Sequence, residues 1–83
     1  MLDFMFDAGH GGKDPGAIGP TGKHEADFVL DICMKTGRHL KEQGYSVGYT
    51  RTTDEFLELY ERANISNSVS ARYFLSFHIN SFI

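Results

Sequence analysis

The chain has 83 residues, 41% hydrophobic and 23% charged, with a formal net charge of −3. That length allows one domain with a modest core, and its seven Phe and four Tyr argue against disorder. Singly scattered Lys and Arg give no footprint for nucleic acid and no polybasic membrane patch, and the one cysteine, Cys33, excludes an intrachain disulfide framework and a thiolate zinc ribbon.

Residues 2–6 form a short, mostly apolar run broken by Asp3, which predicts a strand. The opening residues have no charged region and no apolar stretch of signal-peptide length, and no run reaches the ~20 apolar residues of a membrane span. After the strand, Asp7-Ala8-Gly9-His10-Gly11-Gly12 begins a glycine-rich loop that continues to about residue 23. A loop of that length in a small domain is usually functional. Residues 25–43 read as a helix, because Val29, Ile32, Cys33, Thr36 and Leu40 recur at three- and four-residue steps. Cys33 on that face reads as a buried, inert thiol. Gly44 suits a left-handed helix cap.

Residues 45–50 alternate large and small, as a strand does. Thr52 and Glu55 have capping-box spacing, with Asp54 as an alternative cap. They predict a second helix over about residues 55–67 with Leu59, Ala63 and Ser66 facing inward. Residues 72–78 form an aromatic-rich third strand. The order is β-α-β-α-β, the start of a Rossmann-like parallel or mixed sheet with right-handed crossovers. Two helices give thin cover for such a sheet. The expectation is that residues 1–83 are the N-terminal portion of a larger catalytic domain.

Ligands of open α/β sheets gather beyond the carboxyl ends of the strands. His10 follows the first strand and His78 closes the third. Glu25 lies four residues before Val29 on the helix's apolar stripe, so a carboxylate is expected on the inward face of the first turn. A buried carboxylate needs a partner. Two His and one Glu form a zinc set with one position open for water, although other divalent metals take such donors too. Asp7 is a candidate to orient a ligand imidazole. Spacing alone leaves both this site and a set of ordinary polar residues open. His24 and His39 read as surface residues, since neighbours on a helix such as His24 and Glu25 point in different directions.

The stretch Asp7-Ala8-Gly9-His10-Gly11-Gly12-Lys13-Asp14-Pro15-Gly16-Ala17 resembles the opening motif of the zinc-dependent N-acetylmuramoyl-L-alanine amidases of the amidase-3 type. Gly22-Lys23-His24-Glu25-Ala26-Asp27 resembles the segment with that family's glutamate ligand. Thr50-Arg51-Thr52-Thr53-Asp54, followed by Leu59, Arg62 and Asn67, is similar to its second strand and helix. Ser76-Phe77-His78-Ile79-Asn80-Ser81 resembles its Ser-x-His-x-Asn signature. The resemblance runs in register along essentially the whole chain. It implies an α/β hydrolase acting on peptidoglycan at the bacterial cell wall, periplasmic or extracellular, as a monomer. It also implies Zn2+ on His10, Glu25 and His78, and cleavage of the amide between the lactyl group of N-acetylmuramic acid and L-alanine.

The family's general base is a second glutamate near the end of the complete domain, expected beyond Ile83. Glu42, Glu55, Glu58, Glu61, Asp27 and Asp31 have no spacing that aims them at a metal. Asn80 is expected to brace the loop after His78 or to touch substrate. Arg51 is expected to pair with Asp54 in solvent or to reach the stem peptide. Ser76 shares a strand face with His78, but no third member of a nucleophilic triad is visible. Three rivals stand beside this reading. A phosphate-binding loop at residues 17–24 fails because Ala17 is not Gly and His24 offers no hydroxyl to magnesium. A zinc- or wall-binding fragment without turnover, and a carboxypeptidase or other zinc amidohydrolase of the cell wall, are the others.

Overall fold

The computed structural model describes residues 2–79. Five elements follow in the expected order: β1 (Phe4–Ala8), α1 (Glu25–Glu42), β2 (Val47–Tyr49), α2 (Leu59–Ser68) and β3 (Tyr73–Phe77). The sheet has the order β2-β1-β3, with both neighbours parallel to β1. The chain therefore steps from β1 to one side and returns to the other. Right-handed crossovers of that kind place the two helices on opposite faces.

Side chains alternate across a strand, so β1 has two different faces. Phe6 and Ala8 join Val29 and Cys33 of α1 in the apolar core, with Val47 from β2. The Phe6 ring is fully buried. It meets Phe77 at 5.0 Å and the edge of Tyr49 at 6.3 Å between centroids. The opposite face carries Asp7, which reaches Arg62 of α2 at 2.8 Å. One helix is thus held by hydrocarbon and the other largely by charge.

Helix α1 ends one residue short of the sequence reading, and Gly44 takes the left-handed conformation at φ 96°. Its buried stripe is Ala26, Val29, Cys33 and Gly37, while Ile32 is exposed. Strand β1 differs more, running to Ala8 instead of stopping at Phe6. Asp7 and Ala8 pair with Ser76 and Phe77 of β3. A charge ends a strand only when it has no partner, and Asp7 has three: Thr50, Ser76 and Arg62.

Helix α2 begins at Leu59, four residues later than its expected start. Thr52 and Glu55 do not cap it. Glu58 is the N-cap, and its backbone N–H donates to Glu61 Oε1 at 2.9 Å in a capping box. The residues before it are used differently: Asp54 Oδ1 accepts from the Gly12 N–H at 2.7 Å, fastening this connection to the glycine-rich loop. The inward residues of α2 are Arg62 and Ser66; Ser66 was expected there, but Leu59 and Ala63 are exposed. Among the described residues, no helix is long and apolar enough to cross a membrane.

Cys33 is buried against the sheet. Burial, reinforced by the negative charge of Asp7, pushes its thiol up to about 12. A thiol reagent at neutral pH should leave the folded chain unmodified and label one cysteine only after denaturant is added, because the thiolate is the reactive form. Fast labelling without denaturant would show that the α1–sheet contact opens readily.

Candidate metal centre

The strand order reverses between β1 and β3, the position where open α/β sheets hold ligands beyond their carboxyl ends. His10 comes two residues after β1 and His78 directly follows β3. Glu25 opens α1, pointing inward as expected, with its side chain 4% exposed. The three residues meet. His10 Nε2 is 3.2 Å from Glu25 Oε2, and His78 Nδ1 is 3.6 Å from the same oxygen. One donor atom from each residue lies within 4.8 Å of the others, and the two imidazole planes cross at 88°.

The carboxylate is held from both sides. Glu25 Oε1 accepts the Ala17 N–H at 3.1 Å, and Oε2 accepts the Ile79 N–H at 2.7 Å. Desolvation pulls the Glu25 carboxyl up. The two backbone donors and both imidazoles outweigh it, and the net pKa is lowered. Glu25 therefore faces the histidines as an anion.

His10 adopts φ 65°, in the left-handed region that a residue with a Cβ visits only when held there. Two buried arginines hold it. Arg62 donates to the carbonyls of Ala8 and His10. Arg51 donates to those of Ala8, Gly9, Ala26 and Thr53. Arg51 is 2% exposed, so the expected solvated pair with Asp54 does not form. The chain turns inward after β2, and the carbonyls at the end of β1 take its donors. Its pKa is lowered by burial first and by Arg62 second.

Two glycines allow the two imidazoles to approach the backbone. A Cβ on Gly9 would lie 2.4 Å from the His78 ring, and one on Gly16 would lie 2.6 Å from the His10 ring. Asp14 fixes His10 from behind, with its Oδ2 2.9 Å from His10 Nδ1. That contact, with the bond from the Gly16 N–H, holds the Asp14 carboxyl below the usual range. A carboxylate only accepts, so His10 Nδ1 donates to Asp14.

Asp7 does not touch either imidazole directly. It reaches His78 through Ser76: Ser76 Oγ is 2.7 Å from Asp7 Oδ2 and 2.9 Å from His78 Nε2. Sequence reasoning gave no role to Asp14 or Ser76, although both stood inside the quoted motifs. A carboxylate four residues after a histidine means little in a loop of unknown path. Asn80 lies outside the described residues. His24 and His39 are exposed as expected, His39 beside Gln43. Residues 17–24 form no phosphate cradle, because the Gly19 and Gly22 N–H groups bond within the segment, to Lys23 and Gly19.

A cleft of about 300 Å³ opens beside the three residues, lined by His10, His78, Asp14, Phe56, Leu57 and Glu58 among others. Glu58 is exposed at this cleft, with its carboxylate turned onto the backbone of Glu61 in the capping box.

The N-acetylmuramoyl-L-alanine amidase family model matches residues 4–83. The chain is similar to N-acetylmuramoyl-L-alanine amidase AmiC of Neisseria meningitidis serogroup B, with 42% identity over 78 residues, 94% of this chain and 19% of that protein. Among solved structures it resembles AmiC2 of Nostoc punctiforme, with TM-score 0.87 and 40% identity over 93% of this chain and 43% of that one. It also resembles the catalytic domain of CwlV from Bacillus (Paenibacillus) polymyxa var. colistinus, with TM-score 0.89 and 38% identity over 96% and 46%. The chain thus spans less than half of each of these proteins.

Asp7 gives a pH signature. Burial raises its carboxyl, but bonds from Ser76, Arg62 and Thr50 outweigh that and leave it below the ordinary 3.8. A lowered folded pKa adds stability that is complete above the unfolded value and lost as pH falls through the folded one. The difference in urea stability between wild type and Asp7→Asn should be largest near neutrality and shrink below the ordinary value. Arg62→Met should cost about 3–5 kcal/mol at neutral pH, since it leaves a buried charge unpaired. A pH-independent difference would contradict this account of Asp7.

Proposed function

This chain belongs to the amidase-3 family of N-acetylmuramoyl-L-alanine amidases, and from that premise we propose that its protein is a zinc-dependent peptidoglycan hydrolase. The bond cleaved is the amide between the lactyl group of N-acetylmuramic acid and the L-alanine of the stem peptide. His10, Glu25 and His78 hold the zinc. The work is done at the cell wall, in the periplasm or outside the cell, by a monomer.

The observation that carries this reading is that one donor atom from each of the three residues lies within 4.8 Å of the others, with one Glu25 oxygen close to both imidazoles. Ligands ~2.0–2.1 Å from a tetrahedral ion stand about 3.3 Å apart. Glu25 Oε2 is 3.2 Å from His10 Nε2 and 3.6 Å from His78 Nδ1.

Bound there, zinc supplies Lewis-acid polarisation of the amide carbonyl and a water of lowered pKa. The chain's own residues do the positioning. Asp14 orients His10, the Ala17 and Ile79 N–H groups orient Glu25, and the cleft beside Phe56 and Leu57 offers an apolar wall to the substrate. Hydrolysis also needs a group to take the water proton and pass it to the leaving amine. The Asp14 carboxylate is occupied by His10 and that of Glu58 by its own helix. We assign this role to a glutamate beyond Ile83. Residues 1–83 then form the N-terminal, metal-binding portion of the catalytic domain.

The test uses the full-length protein on purified peptidoglycan. Chelator should abolish the release of new amino termini, and mass spectrometry of the products should show free L-alanine amino ends. Each of His10→Ala, Glu25→Ala and His78→Ala should weaken zinc by more than the ~10–100-fold that losing an outer partner costs. Chelator-insensitive release would end the zinc reading. Loss of C-terminal residues from the stem peptide would make the protein a carboxypeptidase instead.

A further inference from the structure

Ser76 stands between a buried carboxylate and one of the three converging side chains. Its hydroxyl has one proton and two neighbours, Asp7 Oδ2 at 2.7 Å and His78 Nε2 at 2.9 Å. Only one of them can receive that proton. Asp7 is an anion paired with Arg62 at 2.8 Å, and its other oxygen already accepts from Thr50 at 2.7 Å. A carboxylate has nothing to donate. If the hydroxyl proton went to His78, the serine oxygen would face Asp7 Oδ2 lone pair to lone pair at hydrogen-bond distance. The proton therefore goes to Asp7. The serine oxygen then accepts, and only Nε2–H of His78 can supply that bond.

We propose that Ser76 is a positioning residue: polarised by Asp7, it fixes His78 as the Nε2–H tautomer and turns the Nδ1 lone pair toward Glu25. This deepens the zinc reading and rests on it for its consequence, but the tautomer belongs to the protein without metal. It makes the two histidines mirror images. Asp14 engages Nδ1 of His10 and leaves Nε2 on the Glu25 side; Ser76 engages Nε2 of His78 and leaves Nδ1 on the Glu25 side. Each outer nitrogen is occupied by an acceptor, and each inner nitrogen points at the same carboxylate oxygen.

Strand register makes this relay possible. Asp7 and Ser76 are direct partners across the parallel β1–β3 pair. Their side chains emerge on the face opposite the apolar core, where Arg62 and Thr50 also arrive. His78, two residues beyond Ser76, emerges on that side too. A one-residue slip would place Ser76 against α1 and break both bonds.

The test is long-range nitrogen–proton correlation of the His78 ring in metal-free full-length protein, at a pH where the imidazole is neutral. The wild type should show protonated Nε2 and unprotonated Nδ1. Ser76→Ala should mix the tautomers and weaken zinc by ~10–100-fold, while Ser76→Thr, which keeps the hydroxyl, should restore both. A wild type with its proton on Nδ1 overturns the proposal, and that measurement needs no variant to fold. So does a Ser76→Ala protein whose tautomer is unchanged, or whose tautomer mixes with no loss of zinc affinity. If the wild type binds no zinc, the zinc reading fails, while the ring spectrum still decides the role of Ser76.

Discussion

Everything at the ligand end of this sheet depends on two guanidinium groups buried beneath one short stretch of backbone. Arg51 and Arg62 donate to the carbonyls of Ala8, Gly9 and His10, where β1 gives way to loop. These oxygens have left the strand ladder and would otherwise be costly to bury. Hydrogen bonds from a charged donor are stronger than neutral ones, and a planar fork serves several acceptors at once. The arginines therefore do more than satisfy the loop. They hold His10 in a conformation that it would not keep unaided.

The charges of this region balance. Two buried cations, Arg51 and Arg62, stand against two buried anions, Asp7 and Glu25. Backbone carbonyl dipoles add to the compensation of the arginines. The same anions are coupled to the site by different routes. Asp7 acts through Ser76 on His78, and Glu25 meets both imidazoles itself. Positive charge supports the loop from below, and two imidazoles and a carboxylate converge above it.

The parts of this architecture visible in the sequence were those set by local pattern. The apolar stripe of α1 located that helix to within a residue, and strand ends flanked by glycine located His10. The inward carboxylate of Glu25 followed from the phase of the same stripe. The parts that were hidden involve charges whose partners are distant in the chain. Asp7 looked like the end of β1, because Thr50, Ser76 and Arg62 lie far along the sequence. Arg51 looked like a surface residue for the same reason. Leu59 and Ala63 looked like the buried face of α2, since periodicity counts apolar residues and does not anticipate that an arginine will anchor a helix. Asp54 suited a cap and instead ties the loop at Gly12.

Glu25 has one more consequence, which concerns chain connectivity. Its two oxygens accept from Ala17, in the loop before α1, and from Ile79, just past the last strand. With His10 and His78 beside it, the carboxylate sits where the early and late parts of the chain meet. An ion shared by these residues would close a covalent circuit from position 10 to position 78. Binding the folded chain and not the unfolded one, it would add its binding free energy to stability, in a sequence whose single cysteine cannot form an intrachain disulfide. Ion affinity and folding stability would then be two readings of one quantity.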